Sequence, residues 1–481
     1  MTSMLKFSQP VPARPHERSF WIQSTDPTGP ETSAPLRGNI STPIAIVGGG
    51  LTGLWTAWRI LEQRPEQQLV ILEADFCGSG ASGRNGGQVH TWYGSLGYLR
   101  ALVGKKEAIE LARATADAID EFEELQQSGE IDMDLRLDGW IRGASAKAHE
   151  GIWEGAAADL AQHGDTPYRP LDAEELKERT GSASSYEGLI EDRAGSMNPY
   201  KLARGLRKRL IEKGVTIYEG TPVEAIAPGR PARLKTPRGV VTADQVLIAT
   251  NAWAGSIPEI NRYMYSVDGQ VIVTEPIPER LDALGWKSGA SIADSQMQVL
   301  YWQRTVDGRV LLGQGSGLPI YKAKLGPKNN RNPKLVPPVV RELHRLYPSL
   351  SDVKIDYDWV GPIDIVATHI PMLGTLEQQP NVLYAVGWSG TALAQIPAVA
   401  RILASRLLGI DDKWGRSKLF NQNRRTRIFP EPLRFIGANL VRLAVINRVR
   451  REIQNKRVDP ITKFLVSLMP RYRAPGEVAP D

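Results

Sequence analysis

Residues 1–41 carry no helical or strand period beyond an aromatic patch at Phe20-Trp21-Ile22, and they read as an extended arm laid on the body. At residue 43 the pattern sharpens. Ile44-Ala45-Ile46-Val47 is a short apolar run ending in glycines, which predicts a strand buried on both faces. From Leu51 to Gln63 the apolar positions Leu51, Leu54, Trp55, Trp58 and Leu61 recur at helical spacing, and Leu69-Val70-Ile71-Leu72 predicts a second buried strand ending on Glu73. Strand, glycine turn, helix and strand in about 30 residues make one βαβ unit.

Further along, residues 105–129 have the composition and period of a helix stopped by Gly129, and a helical stretch follows Asp172. Helix 200–213 leads through Gly214 into a strand at Val215–Tyr218, and Val240–Thr250 ends another apolar strand. Between 265 and 315 the β-rich segments VIVTEP, QVLYWQRT and RVLLGQG are separated by Asp-Gly and Gly-Leu turns, as in an antiparallel sheet. Val382–Val386 is again a strand, followed by Gly387-Trp388-Ser389-Gly390 and a helix to Leu408. No repeat is visible, which argues against solenoids and propellers.

These elements predict an α/β plus α+β protein. A Rossmann-like dinucleotide-binding domain (42–100, 190–262 and 355–410) is interleaved with an antiparallel-sheet substrate domain (101–189 and 263–354), between the arm (1–41) and a C-terminal extension (411–481). A chain of 481 residues has room for such a pair, at about 100–200 residues per domain. One cysteine permits no intramolecular disulfide and no cysteine-based zinc or iron–sulfur site, and with no apolar leader the expected setting is the cytosol. No histidine sits in a spacing such as H-E-x-x-H, so no metal site is expected.

The formal net charge of +6 is uneven: residues 411–481 hold 16 Lys and Arg against 7 Asp and Glu, leaving the rest slightly acidic. From Leu433 the apolar residues Ile436, Leu440, Leu443, Ile446, Val449 and Ile453 advance by three or four among arginines, and a second apolar segment, Phe464–Met469, lies between Pro460 and Pro470. This basic amphipathic extension has two readings: a helix packed on the catalytic body or in a homo-oligomer contact through residues 431–470, or peripheral binding to the anionic inner face of a membrane. Nucleic acid is not expected, since no reading module accompanies the charge.

The chemistry is concentrated in the glycines. Gly48, Gly50 and Gly53 hold the three key positions of G-x-G-x-x-G, with Leu51 and Thr52 opening the helix whose N–H groups would meet a pyrophosphate. Glu73, followed by Ala74, closes the second strand where an acid accepts hydrogen bonds from a ribose diol, and it would repel a 2′-phosphate. The loop Gly78-Ser79-Gly80-Ala81-Ser82-Gly83-Arg84-Asn85-Gly86-Gly87-Gln88 would lay backbone against a flat ring system. Only one such glycine fingerprint is found, which argues against a second, nicotinamide site.

IAIVGGGLTGLWTAWRI, VILEA and GSGASGRNGGQ resemble the FAD-dependent D-amino-acid oxidase (DAO) superfamily, and more narrowly its γ-glutamylputrescine oxidase-like branch. The likeness continues through SFWIQS, DRAGSMNPYKLARGL, VLIATNAW, VTEP, LYWQRTVDGRVLLG, WVGPIDIVATHIPMLG and VLYAVGWSGTALA, over about residues 18–410. It implies a DAO-type FAD domain and oxidation of a C–N bond in an amine, polyamine derivative or amino acid. Hydride would pass to flavin N5, the imine would be hydrolysed, and electrons would go to O2 as H2O2. The alternative is a membrane-surface dehydrogenase passing electrons to quinone or another carrier.

By the same resemblance FAD would contact Gly48, Gly50, Leu51, Thr52, Gly53, Glu73, Ala74, Gly80, Ala81, Ser82, Arg84, Asn85, Gly86, Gly87 and Gln88. Val223, Thr250, Asn251, Trp253, Gly361, Gly387, Trp388, Ser389, Gly390 and Thr391 would complete the site, with Asn251 standing where the family's turn has glycine. Relatives that attach FAD covalently use a cysteine in the segment matching 359–363 or a histidine in the early glycine loop; both are absent here, which implies noncovalent FAD. Ala394 stands where sarcosine oxidases place a carboxylate-binding lysine, which turns the expectation towards an amine, or an amino acid held by a cation elsewhere. Tyr301, Trp302 and His369 are the catalytic candidates, each with a plain alternative: sheet-core aromatics, and a solvated loop histidine. Tyr265, Arg304, Asp364 and His90 are weighed beside them.

Overall fold

The computed structural model describes residues 4–162, 164–165, 167–315, 317–421 and 427–469. The buried runs form a parallel core of strands Thr216–Tyr218, Leu69–Leu72, Ile40–Val47 and Gly239–Ile248, in that order. Gly239–Ile248 is long enough to serve two neighbours on its far side. Its first half pairs antiparallel with Ala232–Thr236, and its second half pairs parallel with Gln379–Val386. Helices Leu51–Gln63, Lys105–Gln127, Pro199–Glu212 and Gln395–Leu408 contribute their apolar sides to one buried cluster against this sheet.

The second sheet has eight strands in the order Ile355–Val366, Met264–Thr274, Val310–Gln314, Leu300–Arg304, Ser291–Asp294, Trp140–Gly143, Gly188–Glu191 and Tyr168–Leu171. All neighbours are antiparallel except Ser291–Asp294 with Trp140–Gly143. Opposite residues in adjacent strands point to the same face of a sheet. One transverse row therefore runs Arg142, Ala293, Tyr301, Gly313 and Val271. The other face packs Trp302, Leu312 and Ile292 against helix Val336–Leu346 in a separate core.

Three boundaries fall elsewhere than the sequence pattern suggests. Helix Lys105–Gln127 belongs to the dinucleotide-domain core, because Ala108, Leu111, Ile119 and Phe122 all face it. Strand Ile355–Val366 is the edge of the eight-stranded sheet, and Gly188–Glu191 lies within it. The expected extended arm contains a helix at Phe20–Thr25, capped by Ser19, whose hydroxyl accepts from the Ile22 N–H at 3.3 Å. Phe20, Trp21 and Ile22 are buried, and Trp21 Nε1 donates to Asn85 O at 2.8 Å, so this patch braces the glycine-rich loop.

The extension forms two helices, Leu433–Ile453 and Pro460–Ser467, with Asp459 capping the second through the Thr462 N–H at 2.9 Å. Packing on the body uses Ala444, Val445, Val449 and Val466, whereas Leu433, Ile436, Leu440 and Leu443 are exposed. The single apolar stripe read from the sequence is thus divided between two faces of the helix. Pro470 lies outside the described residues.

Candidate active site

Strand Ile40–Val47 runs into Gly48, whose φ of +113° and whose distance from Ala249 O, 2.5 Å for an added Cβ, admit glycine alone. Gly53 sits one helical turn later, where a Cβ would overlap Gly48 O; it sets helix against turn and does not itself line the cavity. Gly50 is the N-cap of helix Leu51–Gln63 and brings no side chain to its first turn. The Ser82 hydroxyl accepts from the Leu51 N–H at 2.8 Å, tying the turn to the glycine-rich loop. Glu73 accepts from the Gly49 N–H at 2.7 Å and the Asp75 N–H at 2.9 Å, while burial pushes its carboxyl up to about 7.

These residues open one cavity of about 440 Å³ that runs from the glycine turn to the eight-stranded sheet. Gly48, Gly50, Leu51, Thr52, Glu73, Ala74, Gly80, Ala81, Ser82, Arg84, Asn85, Gly86 and Gln88 line its first part. Val223, Thr250, Asn251, Trp253, Gly361, Trp388, Ser389, Gly390 and Thr391 also line it. Gly87 and Gly387 stand just behind the wall. Gly87, at φ +71°, donates its N–H to Asn85 Oδ1 at 2.9 Å, and Gly387 turns the chain at φ +80°. Arg84 keeps its guanidinium on Ser79 O and Asn330 Oδ1, both at 2.8 Å, and burial lowers it to about 10.

The late turn is held by Asp364, which lines the cavity and is almost fully buried. Its carboxylate accepts from the Gly387 N–H at 2.5 Å, the Trp388 N–H at 3.1 Å and Asn251 Nδ2 at 3.0 Å. Burial raises it to about 7 in spite of these donors. Asn251 explains its departure from glycine: it occupies the left-handed region at φ +48°, which asparagine tolerates, and its side chain is one of the three donors. Thr391, Leu393 and Ile396 continue the wall into the first turn of helix Gln395–Leu408, whose N-terminal partial charge favours an anion.

At the sheet end, Tyr301 lines the cavity with its ring over Gly86 and Gly313, neither of which has room for a Cβ. Trp302, the next residue, points the other way into the core, where its Nε1 donates to the Tyr347 hydroxyl at 3.0 Å. Strand alternation allows only one of this pair to face the cavity, and Trp302 is the structural one. His369 and His90 both line the cavity, and burial holds each at about 4, so both are neutral imidazoles at pH 7. A base with so low a pKa accepts protons poorly at that pH. Tyr265 does not line the cavity, and Arg304 is turned to Asp282 and Trp286 O.

Arg142 escaped the sequence reading. It lies on the same row and face as Tyr301, lines the cavity, and is 6% exposed. Its guanidinium carbon stands 5.4 Å from the Trp140 ring centroid and 5.5 Å from that of Trp153, and Trp140 is stacked in turn on His90 at 4.3 Å. Among the described lining residues Arg84 and Arg142 are the arginines, and the cavity has no lysine; Arg84 belongs to the glycine-rich loop, which leaves Arg142 as the cation at the sheet end.

The residues present fit a dinucleotide with a flat ring. Thr250 and Trp253 line the cavity, and Thr250 Oγ1 and Trp253 Nε1 are buried without a hydrogen-bond partner in the protein, as polar atoms beside a ligand site can be. The glycine turn keeps a width that any Cβ would fill. Residues 43–406 match the family described as FAD dependent oxidoreductase (DAO). The chain belongs to the DAO family of FAD-dependent oxidoreductases. Among DAO relatives, it is 29% identical over 397 residues to gamma-glutamylputrescine oxidoreductase of Escherichia coli, covering 82% of this chain and 89% of that one. It is 27% identical over 406 residues to a probable oxidoreductase OrdL of Haemophilus influenzae, covering 83% and 90%. The DAO fold also appears in solved structures of L-proline dehydrogenase from P. horikoshii (TM-score 0.65, 18% identity, 79% of this chain and 96% of that one) and glycine oxidase from Bacillus cereus (TM-score 0.63, 18% identity, 81% and 100%).

Proposed function

We propose that this DAO-family enzyme oxidises the C–N bond of a small amine that also carries a carboxylate, an amino acid or an acidic derivative of a polyamine. The observation that carries this reading is the single cavity that joins the cradle of Gly48, Gly50 and Glu73 to a chamber walled by Trp140, Arg142 and Tyr301. When bound, FAD supplies the two-electron acceptor, receiving hydride from the carbon beside the amine nitrogen and passing the electrons to O2 as H2O2. The protein's share is placement and exclusion of water. Arg142 holds the anionic end of the substrate by charge-assisted hydrogen bonds. Tyr301, fixed over Gly86 and Gly313, sets the height of the chamber. Neutral His369 and His90 add no second cation beside Arg142 to repel an ammonium on entry. The imine product loses its nitrogen to water after release.

FAD is held without a covalent bond in this reading. The single cysteine, Cys77, is buried behind Gly49, does not line the cavity, and has its thiol pushed up by burial. Denatured, precipitated protein should lose its yellow colour; colour kept in the pellet contradicts noncovalent binding. A second reading, a membrane-surface dehydrogenase with a quinone or other carrier as acceptor, draws on the exposed apolar side chains of the C-terminal helices. H2O2 released in proportion to amine consumed supports the oxidase, and reduction of a quinone in the absence of H2O2 supports the dehydrogenase. The class of substrate is tested by anaerobic mixing with amines, amino acids and polyamine derivatives, with loss of the flavin's visible absorption as the readout.

A further inference from the structure

The C-terminal helices have an inner and an outer face of different chemistry. On the inner face Ala444, Val445, Val449 and Val466 pack around Met297, which is itself a wall residue of the cavity. Polar contacts fix the pair to the body. Glu452 meets His149 Nε2 at 3.4 Å, and Arg434 donates to Met264 O at 3.1 Å and Asn261 Oδ1 at 2.8 Å. Glu431 Oε1 accepts from the Lys322 N–H at 3.2 Å. The helices are therefore part of the folded body.

The outer face is apolar as well. Leu433, Ile436, Leu440 and Leu443 follow at spacings of three, four and three along the first helix, and Ile461, Phe464 and Leu468 at three and four along the second and just past its end; all seven are 50–72% exposed. With Phe429 they make up eight of the fourteen exposed large apolar side chains among the described residues. Around them Arg427, Arg450, Lys456, Arg457 and Lys463 are exposed. The acids of these helices are engaged elsewhere: Glu452 with Arg448 and His149, and Asp459 with Arg451 and the second helix's N-terminus. These helices lie beyond the family match, which ends at residue 406.

We propose that this outer face docks on an anionic lipid bilayer, with the two apolar stripes in the headgroup and upper acyl layer and the arginines and lysines among the lipid phosphates. Apolar residues at helical spacing flanked by basic ones are what an interfacial helix requires. No helix among the described residues is long and apolar enough to cross a membrane, so the helices lie on it. Charge decides between a bilayer and a second copy of the chain. A two-fold contact would press one basic face against its like, whereas an anionic bilayer neutralises it. Met297, a wall residue of the cavity, rests on the inner face of the docked helices. The proposal stands apart from the reading of the reaction, because binding is measured without turnover.

The test is cosedimentation of the full-length holoenzyme with vesicles of phosphatidylglycerol mixed with phosphatidylcholine, and with vesicles of phosphatidylcholine alone, at low and high salt. The expected result is binding to the anionic vesicles that weakens with salt and is at least about tenfold weaker on the neutral ones. The double variant Leu440→Asp/Phe464→Asp should lose about tenfold or more of that binding, with its flavin spectrum, thermal midpoint and turnover of a soluble amine unchanged. Absence of the wild-type protein from the anionic pellet overturns the proposal, as does undiminished binding by the double variant. A dimer in gel filtration that the double variant dissociates would assign the face to a second copy and also overturn it.

Discussion

Replacing Asp364 by Asn should loosen FAD binding more than it loosens the fold. Three donors converge on the two carboxylate oxygens, the Gly387 N–H on Oδ2, and the Trp388 N–H with Asn251 Nδ2 on Oδ1. An asparagine keeps one accepting oxygen. In its better orientation the amide oxygen serves Trp388 and Asn251, while its NH2 faces the Gly387 N–H and leaves that donor unpaired in a buried turn. An unsatisfied buried group costs about 1–3 kcal/mol, or about 5- to 150-fold in an equilibrium constant. The 387–391 turn must be in place to close the cavity, so the loss should appear in the FAD dissociation constant, measured by flavin fluorescence on dialysis of the holoenzyme. Asn251→Ala removes one donor of three and should cost less, and Asp364→Ala removes the acceptor and should cost more. The pH dependence has a definite sign. Asp364 is raised to about 7, so protonation weakens the acceptor as pH falls through that value, and affinity for FAD should decline below it in the wild type but much less in the Asn variant. Equal dissociation constants for the wild type and Asp364→Asn, at pH 8 and at pH 6, would refute the reasoning.

Arg142→Met should lower kcat/KM for a carboxylate-bearing amine by about 10- to 150-fold, the range of a lost hydrogen bond to a charged group, while an uncharged amine is nearly unaffected; equal losses on both would remove the anchor. Trp302→Phe, on the core side, should lower stability by about 1–2 kcal/mol through its lost bond to Tyr347 and leave KM unchanged, as read by thermal melting and steady-state kinetics. Because His369 and His90 are held at about 4, the acid limb of kcat/KM should track the ionisation of the substrate amine and stay in place in His369→Asn. A limb that vanishes in that variant would make His369 a proton acceptor.

The glycine turn was legible because its signal is local: turn, helix and acid fall between Gly48 and Glu73, and at Gly48 and Gly53 the structure leaves no room for a Cβ. Arg142 was not legible. Its chemistry comes from strand register that sets Arg142 beside Ala293 and Ala293 beside Tyr301, residues far apart in sequence. Strand alternation puts Tyr301 and Trp302 on opposite faces, but which face is the cavity depends on where helix Val336–Leu346 packs, so both stood as candidates. In the extension, the large apolar residues suggested one stripe, while the inner face rests on Ala444 and Val445, too small to stand out beside Leu440 and Leu443. The arm hid its helix for a related reason: six residues are too short for a period, and their order comes from the cap at Ser19 and the bond from Trp21 to Asn85.

In the proposed function one cavity holds both the flavin and a carboxylate-bearing amine. The most direct test is anaerobic mixing of the holoenzyme with matched pairs of amines that differ only in the carboxylate. Rapid loss of the flavin's visible absorption with the acidic member of a pair, slowed markedly in Arg142→Met, is the predicted result. A flavin that stays oxidised with every amine, or bleaches equally with both members of each pair, would contradict it.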